Sequence, residues 1–436
     1  MTPSAPADAG PYATLKTYLR AQLMQLVDEK TWRDRQPTSQ DRQQLHQRIR
    51  AVAERSLRGQ WHNQLTPEQQ QQLIEELVDE IVGLGPLEPL LRDPRVSEIM
   101  VNGAQEIFVE REGKMERVQA AFANREHLMH FIERILSPLG RRVNEAEPCV
   151  DARLADGSRV TVVIAPMALQ GPYLTIRRFT RELIGLEDLI RHGTVTGAVA
   201  EFLKACVAAR CNIVLSGASG VGKTTTLNAL AHVIPPHERI VVMEDTAELQ
   251  FSNHHVVRLE TRPPSVTGAA EVTMRDLLKN ALHMRPDRII VGEVRGEEAL
   301  EMLQAMNTGH DGCLSTLHAN TPADVIPRIE TMALLTRLEL SAEALRRQIL
   351  SALDLIVHLD RFPDGSRKVV SIVEVTKGAP GAATEDALHE LFTFHGGTDA
   401  AGRIQGRLVS TGVRPHPHLL ERFERSSIVL PANLFE

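Results

Sequence analysis

Aromatic side chains make up only 4% of the 436 residues, with two tryptophans and three tyrosines. So sparse a supply argues against a surface built to stack single-stranded bases. Cysteine is equally scarce. The four lie at 149, 206, 211 and 313 with no C-x-x-C pair, a spacing that suits neither a disulfide framework nor a zinc knuckle. Reduced thiols in the cytosol are the simpler reading. No apolar run approaches the roughly 18 residues that span a bilayer, and the amino terminus has no apolar signal region. Excess positive charge is also missing. Forty-nine Lys and Arg against 56 Asp and Glu give a net charge of −7, which argues against a chain that coats nucleic acid. Soluble, cytoplasmic and multidomain is the class left, with length suggesting about three folded units.

At 42% hydrophobic and 24% charged, the sequence can build ordinary cores. Residues 1–10, rich in Pro, Ala and Ser, are expected to be disordered. Leu15, Leu19, Leu23 and Leu26 repeat at helical spacing, as do Leu45, Ile49 and Val52. A third helix opens with Thr66 as N-cap, Pro67 in first position and Gln69 completing a capping box. A helical module is therefore expected over 1–83. From about 84 to 185, short runs such as EIMVNG, EIFVER, RVTVVIAP and YLTIRRF alternate with a helix at 125–137, which reads as an α+β domain. Over 186–436, apolar strands alternate with helices in the pattern of an α/β, doubly wound, mostly parallel sheet. Strands at 355–360 and 367–375 then lead into a tail punctuated by Gly and Pro.

The chemistry lies in this last region. Gly217, Ala218, Ser219, Gly220, Val221, Gly222, Lys223 and Thr224 spell G-x-x-x-x-G-K-T between a buried strand and a helix that continues with Thr225. Glycines let the loop curl so that its amides converge on phosphate, and the helix N-terminus favours an anion. Lys223 would reach the β- and γ-phosphates and Thr224 a Mg²⁺ ion. Glu244, Asp245 and Glu248 follow one apolar strand and Glu293 another, so both acidic groups should face the loop. Glu293 is assigned to position or deprotonate the attacking water. Glu244 and Glu248 would hold Mg²⁺ through waters, with Asp245 structural. His310 and His318 flank a short strand and could sense the γ-phosphate. Arg153, Arg159, Arg177 and Arg178 crowd the strands of the α+β domain as candidate γ-phosphate-directed arginines. Arg285 and Arg288 around RPDR are also candidates, with a structural salt bridge the preferred reading there.

Four segments, GASGVGKTT, VVMEDTAELQ, RPDRIIVGEVRG and NTGHDGCLSTLHAN, together resemble the nucleotide boxes of the secretion-superfamily ATPases, which drive type II secretion, type IV pili and type IV secretion. VSEIMVNG, DARLADGSRV and the closing GRIQGRLVSTGVRP and LPANLF are similar to the CpaF subgroup, which powers Tad (Flp-type) pili. The resemblance implies a RecA-like ATPase domain preceded by a PAS-like α+β domain. It also implies a homohexamer, with ATP and Mg²⁺ bound and inner-membrane pilus platform proteins as partners at the cytoplasmic face. By motif position, Lys223 and Thr224 are the Walker A pair and Glu293 the Walker B glutamate. Glu244 and Glu248 fall in the acidic box, His310 and His318 in the histidine box. Arg177 and Arg178 fall where γ-phosphate arginines are placed. The tetracysteine zinc motif of the type II branch is missing, so no zinc is expected; neither is stable nucleic-acid binding. Alternatives are the ATPase of a type IV conjugative system, a DNA translocase and a non-hydrolysing scaffold.

Overall fold

The computed structural model describes residues 11–24, 39–58, 65–111, 113–154, 156–178, 184–251, 255–262, 270–336, 341–377, 387–399, 402–431 and 434–435. The expectations for residues 1–10 and Leu26 lie outside these. The chain divides into two compact units, Met1–Thr180 and Arg181–Glu436.

The first unit holds both the amino-terminal helices and a sheet. Helices α1 (Pro11–Met24), α2 (Ser39–Arg58) and α3 (Pro67–Ile81) bury Leu15, Leu19, Leu23, Ile49, Leu57, Leu73 and Leu77 in one cluster. Helix α3 starts where its sequence signals put it. The Thr66 hydroxyl accepts from the Gln69 amide, the Gln69 side chain returns the bond, and Pro67 occupies the first turn. After the short α4 (Glu88–Arg92), six antiparallel strands follow: β1 (Val96–Asn102), β2 (Ile107–Arg111), β3 (Lys114–Val118), β4 (Cys149–Arg153), β5 (Arg159–Val163) and β6 (Tyr173–Arg177). Their order is β3-β2-β1-β6-β5-β4. Helix α5 (Arg125–Leu136) packs Leu128, Phe131 and Ile132 into the same core as Ile99, Val160, Val162, Leu174 and Ile176. Alternate residues of β5 and β6 are buried, so this sheet has one apolar face, and its other face carries the polar side chains.

The second unit is built on a nine-stranded sheet in the order β15-β14-β13-β12-β7-β11-β10-β8-β9. Strands β7 (Ile213–Gly217), β8 (Ile240–Glu244), β9 (Val256–Glu260), β10 (Arg288–Val294), β11 (Leu314–His318) and β12 (Leu355–Arg361) run parallel. Strands β13 (Arg367–Val375), β14 (Leu388–Thr398) and β15 (Ile404–Ser410) extend it antiparallel. Helices α6 (Leu186–Arg191), α7 (Gly197–Ala208) and α8 (Lys223–Ala231) precede β8. Later come α9 (Met274–Ala281), α10 (Glu298–Asn307), α11 (Val325–Leu334), α12 (Ala342–Ala352) and α13 (Pro417–Arg425).

Both faces of the sheet are covered. Ile213 and Leu215 of β7 join Phe202 and Leu227 on one side, whereas Val214 joins Leu278, Leu303 and Ile329 on the other. That double burial explains why these strands read as continuous apolar runs, and it makes the unit a doubly wound α/β fold. Where irregular tail was expected after 375, the chain instead forms β14, β15 and α13. Gly396 and Gly406 are close-packed in this hairpin, where an added Cβ would come within 2.6 Å of the neighbouring glycine or carbonyl. They are therefore strand glycines where two backbones approach, not turn markers.

Candidate nucleotide site

In the second unit the parallel strands end together, and β7 feeds the glycine loop into α8. Gly217 has φ +145°, and a Cβ there would lie 2.4 Å from the Leu359 carbonyl oxygen of β12. Gly220 and Gly222 also have positive φ. The loop is thus a cradle that side chains would fill, ending on the free amides of a helix N-terminus, and it fits a polyphosphate. Lys223 is 7% exposed, and its ammonium donates to the carbonyls of Gly217 (3.0 Å) and Ala218 (2.7 Å), within the loop it closes. Thr224 and Thr225 follow in the first turn of α8, half-buried beside it.

His318 ends β11 and pairs in register with Gly217. Its Nδ1 lies 3.4 Å from Lys223 Nζ, and its Nε2 lies 2.7 Å from Glu293 Oε1. Burial and the nearby Lys223 charge push the imidazole below its ordinary value, so it is neutral at pH 7. Glu293 owes its direction to an irregularity in β10. Between the pairs Val291–Ser315 and Val294–Leu317 the β10 side has one extra residue, a bulge at Gly292–Glu293 that re-aims the glutamate. Thr316 Oγ1 donates to the Gly292 carbonyl at 2.7 Å, and a Cβ on Gly292 would come 3.0 Å from Glu244 Cγ. Arg295, two residues further on, donates to Glu293 at 2.6 Å and reaches Asp245 at 3.4 Å. A continuous run, Lys223–His318–Glu293–Arg295–Asp245, therefore spans the carboxyl ends of four neighbouring strands, β7, β11, β10 and β8.

The other predicted residues divide. Glu244 is 3% exposed and turns inward; its Oε1 accepts the amides of Glu248 and Leu249, both at 2.8 Å, and burial raises its pKa. Its second oxygen is 3.5 Å from Arg258. Asp245, assigned a structural part from sequence, is the exposed carboxylate of the pair and the one that meets Arg295. Glu248 is half-buried in the same turn. His310 is not brought to this cluster. It precedes the amino end of β11, roughly 13 Å of strand away from His318, and its carbonyl accepts the Cys313 thiol. Arg288 is fully buried and paired with Glu238 at 2.6 Å.

In the first unit, register aligns Arg153 with Arg159 and Arg159 with Arg177, making a cationic row across three strands that ends on Glu98 of β1. Burial raises the Glu98 pKa against the opposing pull of Arg177. Arg178 leaves that row: its guanidinium donates to the carbonyls of Asp93 and Val96, and its amide to Ser97. It straps the start of β1 to the end of β6. Sequence reasoning missed Arg295, which lies one residue past the end of β10 and just after the bulge, where strand alternation gives no guide.

Over residues 80–409 the chain matches the family described as type II/IV secretion system protein. It belongs to that family. Among its relatives, the putative conjugal transfer protein Rv3659c of Mycobacterium tuberculosis is 36% identical over 302 residues, covering 68% of this chain and 85% of that one. The probable conjugal transfer protein TrbB of Sinorhizobium fredii is 35% identical over 294 residues (67% and 86%). The type IV secretion system protein PtlH of Bordetella pertussis is 31% identical over 324 residues (68% and 95%). The secretion family expected from the four nucleotide boxes is thus the right one, while these relatives carry conjugal-transfer and type IV secretion names and not that of the CpaF branch.

Proposed function

We propose that this chain is the ATP-hydrolysing motor subunit of a type IV secretion machine, working as a homohexamer. The observation that carries it is the run Lys223–His318–Glu293–Arg295 beside a glycine cradle. Lys223 and the loop amides would hold the β- and γ-phosphates. Glu293, with one oxygen on His318 and the other on Arg295, is oriented to take the proton of a water attacking the γ-phosphorus, so that ATP and water give ADP and phosphate. His318, touching both Lys223 and Glu293, would couple phosphate occupancy to the position of that carboxylate. When bound, Mg²⁺ would neutralise charge on the phosphate oxygens; the Thr224 hydroxyl would hold it, with Glu248 through water, while Glu244 already spends one oxygen on two backbone amides. The row Arg153–Arg159–Arg177 suits an anion, and we assign it the γ-phosphate-directed part.

The names of the relatives support conjugal transfer or type IV secretion as the machine. A Tad-type pilus, with inner-membrane platform proteins as partners, is supported by VSEIMVNG, DARLADGSRV and the LPANLF ending. Among the described residues no helix is long and apolar enough to cross a membrane, so the mechanical output would pass through partner proteins. The test is a chromosomal Lys223→Ala change in cells scored both for surface filaments by electron microscopy and for macromolecule transfer. Lost transfer with normal filaments supports the secretion machine; lost filaments with intact transfer supports the pilus. Both phenotypes unchanged would overturn the motor assignment.

A further inference from the structure

Strands β12 and β13 form a hairpin whose last paired residues are Arg361 and Arg367, directly opposite one another. Both side chains are exposed. The hairpin lies against the glycine loop. A Cβ placed on Gly220 would be 3.9 Å from Arg361 Nη1, and one on Gly222 would be 3.6 Å from Arg367 Cδ. The two arginines therefore lie against Gly220 and Gly222 of the loop, Arg361 by its guanidinium and Arg367 by its stem, on the β12 side of β7 and opposite β11, which carries His318.

This hairpin is held in place. The Phe362 amide donates to the Ser366 carbonyl at 2.9 Å, and the Phe362 ring sits 5.3 Å from Phe394 of β14. The Asp364 carboxylate accepts the amides of Ser366 (2.9 Å) and Ile404 (2.7 Å), tying the turn to β15. Upstream, the Leu359 carbonyl touches the position a Gly217 side chain would need, so β12 and the loop are in contact at both ends. Planar guanidinium groups side by side suit an anion, because they give paired, charge-assisted bonds to phosphate oxygens.

We propose that Arg361 and Arg367 form a second anion-binding arm of the nucleotide site, gripping the polyphosphate of a nucleoside di- or triphosphate from the hairpin side of the loop. The proposal rests on the ATPase reading and adds a wall to that site. It also gives the β13–β15 extension a task, since that extension fixes the hairpin.

The test is calorimetric titration of the full chain with Mg·ADP, together with steady-state ATP hydrolysis, for the wild type, Arg361→Gln, Arg367→Gln and the double variant. Each single variant should bind ADP about tenfold more weakly, with the loss falling on KM more than on kcat and melting without nucleotide unmoved. Lysine at either position should recover part of the affinity. Should a glutamine variant melt lower, the lysine variants decide, and lysine binding no better than glutamine overturns the proposal. A double variant that binds ADP as the wild type does, while Lys223→Ala loses binding, overturns the arm and leaves the ATPase reading standing. A wild type that neither binds nor hydrolyses ATP overturns the ATPase reading and the arm with it.

Discussion

Glu293 is held by two neighbours with different consequences. Arg295 is a permanent cation at 2.6 Å whose own pKa is raised by the bond to Glu293. His318 Nε2 lies 2.7 Å from the other oxygen, which accepts no hydrogen bond among the described residues, and burial and the Lys223 charge push that imidazole towards its neutral form. A carboxylate so restrained can accept a proton from water without first finding its place. Glu293→Gln keeps the size and removes the basicity. Turnover should fall by about 10²–10⁴, the range general-base catalysis supplies, with nucleotide affinity within about threefold of the wild type. Lys223→Ala should show the reverse emphasis, because its ammonium is built into the loop itself. Equilibrium binding of a fluorescent nucleotide beside single-turnover rates separates the two, and equal loss of affinity in both variants contradicts the assignment. Residues of the loop were legible in the sequence because their spacing is local. The partnership of Glu293 with Arg295, and the inward turn of Glu244, were not, because both depend on a bulge and on strands that meet only in the fold.

At the scale of elements the same division holds. The start of helix α3 could be placed to the residue from its capping box and proline, signals contained in four positions. Strands β9, β14 and β15 escaped. β9 lies at a sheet edge with partly exposed residues, and β14 carries Gly396 and Gly397 inside it, which look like a turn until Gly406 is seen packed opposite. The carboxy-terminal helix α13 depends on a bond equally invisible in sequence. Glu374 of β13 is 2% exposed and accepts the amide of His416, the N-cap of α13. Burial raises its pKa from 4.5 to about 7, outweighing the His416 bond, while Asp354 nearby pushes the same way. The sign follows from linkage. The folded chain keeps a proton that the unfolded chain releases near 4.5, so this stabilisation is full below about 4.5 and lost as pH rises through about 7. The span is at most about 3 kcal/mol. Melting temperature should therefore drop between pH 5 and 8 by more in the wild type than in Glu374→Gln, whose amide cannot ionise. Identical pH profiles would remove Glu374 from the account.

At the scale of the whole molecule, hydrolysis becomes work only if subunits are coupled, and a closed ring makes coupling measurable. In the proposed hexamer, mixing wild-type chains with Glu293→Gln chains, after exchange of subunits, would give rings with a binomial number of dead sites. If the six sites act independently, a mixture with one fifth inactive chains keeps about four fifths of its ATPase activity. If one dead site stalls a hexamer, about a quarter remains. The variant is suited to this because it is expected to fold, assemble and hold ATP, so its effect on neighbours is not a failure to join the ring. Light scattering on the same mixtures gives the particle mass. A steep, sixth-power decline with hexameric mass is the expected result. A linear decline at hexameric mass would leave an ATPase without the coordination a motor needs, and the cationic row and hairpin arginines would then be binding groups serving each chain alone. A monomeric mass would remove the ring from the proposed function, since a closed assembly is what allows one subunit's phosphate loss to be felt by the next.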